Sequence, residues 1–165
     1  MYVIGIDPGL TRCGFAVLHP APFKSIECAG VIETSPSLGI EKRLAELFEE
    51  LCKLFTEFPP EVVVVERVLF QTNAKTAMSV GQASGVALVA AAKSSAAVVS
   101  YSSNEVKMTL CGTGSATKRE VQRMVEIEFS LQNTPEPPDV ADAIGLAYHH
   151  QVLSARSRAF SGGTR

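Results

Sequence analysis

The run of four valines at 62–65 limits the fold more than any other stretch, because it is unbroken by polar residues, preceded by Pro59-Pro60 and closed by Glu66. A β-branched run without alternation fits a strand covered on both faces, which requires helices on either side of a sheet. Upstream, Ile40, Leu44, Leu47, Phe48, Leu51, Leu54, Phe55 and Phe58 recur at offsets of three and four, the spacing of one helix face. The proline pair ends that helix. A helix between an earlier strand and the valine run can serve as a crossover, so the valine strand is expected to run parallel to a strand before it.

Residues 2–6 and 14–18 are short β-rich runs separated by the turn former Asp7-Pro8-Gly9, and a third run spans 25–34, together reading as a meander. Downstream, 75–93 reads as a helix whose Gly81, Ala83, Ser84, Gly85 and Ala87 let another backbone approach, either the sheet or a second subunit. A fifth strand is expected at 97–100. After the loop at 112–115, Ser115 or Thr117 can cap a helix reaching about residue 129. Prolines then break the chain at 135–138. A last helix is expected from near Asp139, turning Val140, Ile144, Ala147, Tyr148 and Val152 inward. The order βββαβαβαα predicts an α/β domain over 1–155 with a mixed five-stranded sheet and the first strand central. Residues 156–165, with Arg156, Arg158, Arg165 and Gly162-Gly163, read as a basic, flexible tail.

At 165 residues and 46% hydrophobic content the chain is large enough to bury one core unaided. Its net charge of −2 gives no overall basic field, so a nucleic acid would have to be held by a local patch. Cys13, Cys28, Cys52 and Cys111 form no C-x-x-C pair, and the histidines are His19, His149 and His150, a pattern that suits reduced cytosolic thiols better than zinc or disulfides. The first ten residues lack the basic and apolar segments of a secretion signal, and no apolar stretch approaches bilayer length. A cytoplasmic location without membrane association follows as the expectation.

Asp7 follows one strand directly and Glu66 follows the valine strand, so parallel neighbours would bring both acids to one carboxyl edge. Asp139 and Asp142 are three apart and share a helix face. Taken singly, Asp7 is equally a turn former, Asp139 an N-cap and Asp142 a partner of the helix dipole. Together they demand cations, since like charges about 5 Å apart at an effective dielectric near 20 repel by about 3 kcal/mol per pair. Hard oxygen ligands select Mg²⁺ or Mn²⁺, and two such ions per site would suit phosphodiester hydrolysis.

The ordered set Gly5-Ile6-Asp7-Pro8-Gly9, Glu66 after the valine strand, Asn73, Gly81-Gln82-Ala83 and Asp139-Val140-Ala141-Asp142-Ala143 resembles the RuvC resolvases over nearly the whole chain. That resemblance implies a ribonuclease H-like fold with sheet order 3-2-1-4-5. It also implies a homodimer that cuts four-way (Holliday) DNA junctions and works with the branch-migration proteins RuvA and RuvB. It makes Asp7, Glu66, Asp139 and Asp142 the metal-binding acids, with Lys107 and Lys118 near the scissile phosphate. Arg119 and Arg123 accompany Lys118 after the glycine-rich loop, where a helix N-terminus and several cations could hold phosphate. The family's base-stacking aromatic, three positions after the glutamate, is replaced here by Leu69, which moves the expected stacking role to Phe70. Thr72, Asn73 and Lys75 are expected at the DNA backbone.

Three other readings share parts of this pattern. A YqgF-type nuclease acting on ribosomal RNA precursors also begins with a Gly-x-Asp strand, but the full acid set favours the resolvase. An actin-like ATPase would need two such domains. A module that binds branched DNA without cutting would gain nothing from four acids near phosphate.

Overall fold

The computed structural model describes the backbone of residues 1–67 and 74–161. Leu69, Phe70, Thr72, Asn73 and the Lys75 side chain, singled out above for DNA, lie outside the described residues. The described elements are, in order, β1 (Tyr2–Asp7), β2 (Arg12–Leu18), β3 (Ile26–Glu33), α1 (Ile40–Glu57), β4 (Pro60–Glu66), α2 (Ala74–Lys93), β5 (Ala97–Tyr101), α3 (Ser103–Cys111), α4 (Lys118–Glu128) and α5 (Pro138–Ser161).

The sheet has the order β3-β2-β1-β4-β5, with β1 central as expected. The meander pairs antiparallel, whereas β4 runs parallel to both β1 and β5. Val63, Val64 and Val65 are buried, so the valine strand is indeed interior. Each such side chain removed from water contributes roughly 1.5–3 kcal/mol.

Alternation along the strands divides the core in two. Ile4, Ile6, Val63 and Val65 pack with Leu47, Leu51, Leu54 and Phe55 of α1 and with Ala83, Ala87, Ala90 and Ala91 of α2. Val3 and Val64 face the other way, onto Val140, Ala143, Ile144 and Ala147 of α5 and onto parts of α3 and α4. The same parity puts Asp7, two and four residues beyond Gly5 and Val3, and Glu66, two beyond Val64, on the α5 side.

Two glycines set how closely α5 lies on the sheet. A Cβ at Gly5 would stand 2.0 Å from the carbonyl oxygen of Ala143, and one at Gly14 would stand 2.2 Å from that of Asp139. Only bare backbone at these positions lets the first turns of α5 settle against β1 and β2.

The structure adds one helix to the expected order. α3 fills the stretch between the fifth strand and the glycine-rich loop, held by a reciprocal capping box between Ser102 and Glu105 and ended at Gly112 with φ 74°. It buries only Val106 and Leu110, too short an apolar stripe for periodicity to reveal. α5 continues past residue 155 to Ser161, with no helix breaker in the sequence before Gly162. Among the described residues no helix is long and apolar enough to cross a membrane.

Of the two caps proposed for α4, Thr117 is the one used, its hydroxyl accepting from the Glu120 amide while Glu120 accepts from the Thr117 amide. Thr117→Ala is expected to cost about 1 kcal/mol. A fall of about 3 °C in melting temperature, followed by circular dichroism, checks this; an unchanged melt would mean the cap carries no stability.

Candidate active site

Parallel pairing of β1 with β4 brings their carboxyl ends together, with Ile6 beside Val65 and the acids Asp7 and Glu66 one residue beyond. The first turns of α5 bring Asp139 and Asp142 over the same edge, with side chains 19% and 22% exposed. All four acids named from sequence therefore meet.

Their electrostatics report the crowding. Burial first, and then the charges of Glu66, Asp142 and Asp139, push the Asp7 carboxyl well above the usual range, and a hydrogen bond to Glu66 raises it further. Glu66 is raised mainly by burial, although the bond from Asp7 and the charges of Lys118 and Lys107 oppose the shift. Asp142 is also raised by burial, against the pull of Lys118. A protonated Asp7 donating to ionised Glu66 satisfies these causes together.

Cations balance the α5 pair. Lys118 Nζ lies 3.5 Å from Asp142 Oδ2, and Arg12 Nε lies 3.5 Å from Asp139 Oδ2. Burial alone would lower the Lys118 ammonium, but the charges of Asp142, Asp7 and Asp139 outweigh it and hold the ammonium above its usual value. Lys107, carried by α3, is close enough for its charge to act on both Glu66 and Asp142. Both lysines expected at the site are thus beside the acids. Arg119 and Arg123 sit further along the flank of α4, lining a recess with Met124, and Arg123 is paired with Glu126 at 2.6 Å. Arg12 was not anticipated, because its contact crosses from the start of β2 to α5 and leaves no local pattern; its place just after the Asp7-Pro8-Gly9 turn was the available signal.

Among the described residues no three His, Cys, Asp or Glu side chains are already arranged to hold a metal ion. The acids are electrostatic neighbours balanced by Arg12 and Lys118, rather than a finished ligand shell. Asp139 Oδ2 is nevertheless buried without a hydrogen bond, its Arg12 contact being too poorly placed for one. A buried orphan carboxylate oxygen amid carboxyls that resist ionisation is a donor set suited to a hard divalent cation. Nearby Cys13 is no nucleophile, as burial pushes its thiol up to about 12.

Adjacent parallel strands that each end in an acid, met at that edge by acids from the final helix, place the molecule among the ribonuclease H-like nucleases. The family model for crossover junction endodeoxyribonuclease RuvC matches residues 3–150, and the chain belongs to that family. It is 40% identical over 161 residues to crossover junction endodeoxyribonuclease RuvC of Natranaerobius thermophilus, covering 96% of this chain and 99% of that one. Thermus thermophilus RuvC superposes with a TM-score of 0.83 at 32% identity, covering 95% of this chain and 97% of the other. In complex with Holliday junction substrate, that protein superposes with a TM-score of 0.87 at 33% identity over 95% and 96% of the two chains.

Proposed function

We infer that this chain is a structure-selective endonuclease that resolves four-way DNA junctions in recombination and repair, with Asp7, Glu66, Asp139 and Asp142 as its catalytic acids. Family membership sets aside the RNA-processing, ATPase and non-cutting readings. The observation that carries the assignment of residues is the convergence of all four acids on one sheet edge, with Lys107 and Lys118 beside them.

Divalent ions held by the four acids, two Mg²⁺ with Mn²⁺ as a substitute, would supply Lewis-acid activation of water and stabilisation of the leaving 3′ oxygen. The side chains do the rest. Asp7, Glu66 and Asp142, whose burial opposes ionisation, would face the ions as carboxylates. Lys118, freed from Asp142, offers its ammonium to a phosphate oxygen or to the charge that develops on cleavage. Lys107 adds a second positive charge from α3. Arg119 and Arg123 would guide the flanking DNA backbone, Arg123 after leaving Glu126, and Phe70, Thr72, Asn73 and Lys75 would complete the contact.

A homodimer suits a junction with approximate two-fold symmetry, which needs two matching nicks. α2 offers the face for it: Met78, Leu88 and Val89 are exposed, and nothing lies within 4 Å of a Cβ built at Gly81 or Gly85. RuvA and RuvB are the proposed partners that deliver the junction. The cytoplasm, where the four free cysteines would stay reduced, is the proposed location.

Incubating the protein with a labelled four-way junction, with and without Mg²⁺, tests the reading: paired nicks only with the ion are expected, and cutting of linear duplex or structured RNA in preference to the junction would overturn it. Lys118→Ala should slow cleavage about 10²-fold and reduce the salt slope of junction binding by about one. An unchanged rate and slope would remove Lys118 from the phosphate.

A further inference from the structure

The lysines of α3 and α4 approach Glu66 and Asp142, whereas on the Asp139 side of the acids the turn between β1 and β2 and the first turns of α1 and α2 line an open cavity of about 430 Å³. Its polar lining is Thr11, Arg12, Arg43, Thr76, Ser79 and Asp139. Two guanidinium groups and the hydroxyls of Thr11 and Thr76 form a donor set of the kind found around phosphate, while the Ser79 hydroxyl already donates to the Thr76 carbonyl.

Arg43 is the informative member. Its Nε donates to Thr34 Oγ1 at 2.9 Å and one Nη donates to Thr11 Oγ1 at 2.9 Å. Thr34, only 4% exposed, is itself fixed by donating to the carbonyl of Leu10. Among the described residues no carboxylate lies within ion-pair distance of Arg43. The guanidinium is therefore oriented by neutral groups while its charge stays uncompensated, an arrangement that is poor as a structural ion pair and good as a preformed anion receptor. Arg12, across the cavity, already touches the Asp139 oxygen and screens the one acid in the lining.

We propose that this cavity receives a second phosphate of the junction strand, one other than the phosphate that is cut, held by Arg43 and Arg12 with the hydroxyls of Thr11 and Thr76. The two cation groups then grip the strand on either side of the acids, the lysines at the reacting phosphate and the arginines beyond Asp139. The strand itself comes from the junction-resolvase reading above, but occupancy of the cavity is read by binding alone and so fails or stands separately from cleavage.

The test uses the full chain with Asp7→Asn, so that no strand is cut, and measures junction binding at several salt concentrations. Arg43→Ala is expected to weaken binding about tenfold and to lower the salt slope by about one. Replacing strand phosphates one at a time by neutral methylphosphonates should reveal one position where the parent loses about tenfold and the Arg43→Ala protein loses nothing more. Should Arg43→Ala disturb the fold, Thr76→Glu, at an exposed position on α2, leaves the Arg43 hydrogen bonds in place and should weaken binding similarly. An Arg43→Ala penalty independent of methylphosphonate position, or Thr76→Glu binding like the parent, would overturn the proposal. So would a rise in melting temperature with ATP that Arg43→Ala removes, since it would put a free nucleotide in the cavity.

Discussion

Asp7→Asn is expected to lower junction cleavage by at least about 10³-fold and, with no divalent ion present, to make the protein more stable. The two effects share one cause. Burial, and then the charges of Glu66, Asp142 and Asp139, oppose ionisation of Asp7, so an amide that keeps a hydrogen bond to Glu66 removes a cost in the ion-free fold. A gain of about 2 kcal/mol would raise the melting temperature by about 6 °C.

The pH dependence has a defined sign. The carboxyls of Asp7, Glu66 and Asp142 lie above their unfolded values, so folding takes up protons there. Their contribution to stability is full below the unfolded value of about 4 and is lost as pH rises through the raised folded values. Ion-free protein should therefore lose stability as pH rises above about 4, and the loss should be smaller in Asp7→Asn and reversed by Mg²⁺ in the parent. Melting scans across pH check both; an Asp7→Asn curve that parallels the parent would show that the acids do not strain the fold.

The second large effect is expected at Gly5→Ala. Its methyl group would have to occupy space 2.0 Å from the Ala143 carbonyl oxygen and 3.0 Å from the Ala147 amide, both backbone atoms that cannot rotate away. α5 would have to lift from β1, carrying Asp139 and Asp142 with it, at a cost of about 3 kcal/mol or more. Urea titration should show that loss together with a collapse in cleavage. Gly114→Ala is the contrast, since nothing lies nearer than 3.5 Å to its Cβ, and it should melt close to the parent. A stable, active Gly5→Ala protein would mean that the close seating of α5 is not required.

The central features of this fold could be read from the sequence because they repeat along the chain. The valine run marked an interior strand, the α1 stripe marked a crossover, and the two together fixed the parallel pairing that unites Asp7 and Glu66. α3 escaped because two buried side chains make no period, and its one local mark was the Ser102 to Glu105 capping pair. Convergence of the α5 acids was inferred from resemblance and helix spacing, whereas its physical basis, the bare backbone of Gly5 and Gly14 under α5, is a contact between distant segments. Arg12 and Arg43 were missed for the same reason: their partners Asp139, Thr34 and Thr11 lie across the fold, where neither spacing nor composition points.

Whether the four acids jointly hold the ions needed for cutting can be decided by counting bound Mn²⁺ with electron paramagnetic resonance in the presence of junction DNA. Paired ions per chain are expected, with affinity falling at least about tenfold in each of Asp7→Asn, Glu66→Gln, Asp139→Asn and Asp142→Asn. Undiminished Mn²⁺ binding in a chain carrying all four substitutions would contradict joint binding by the acids.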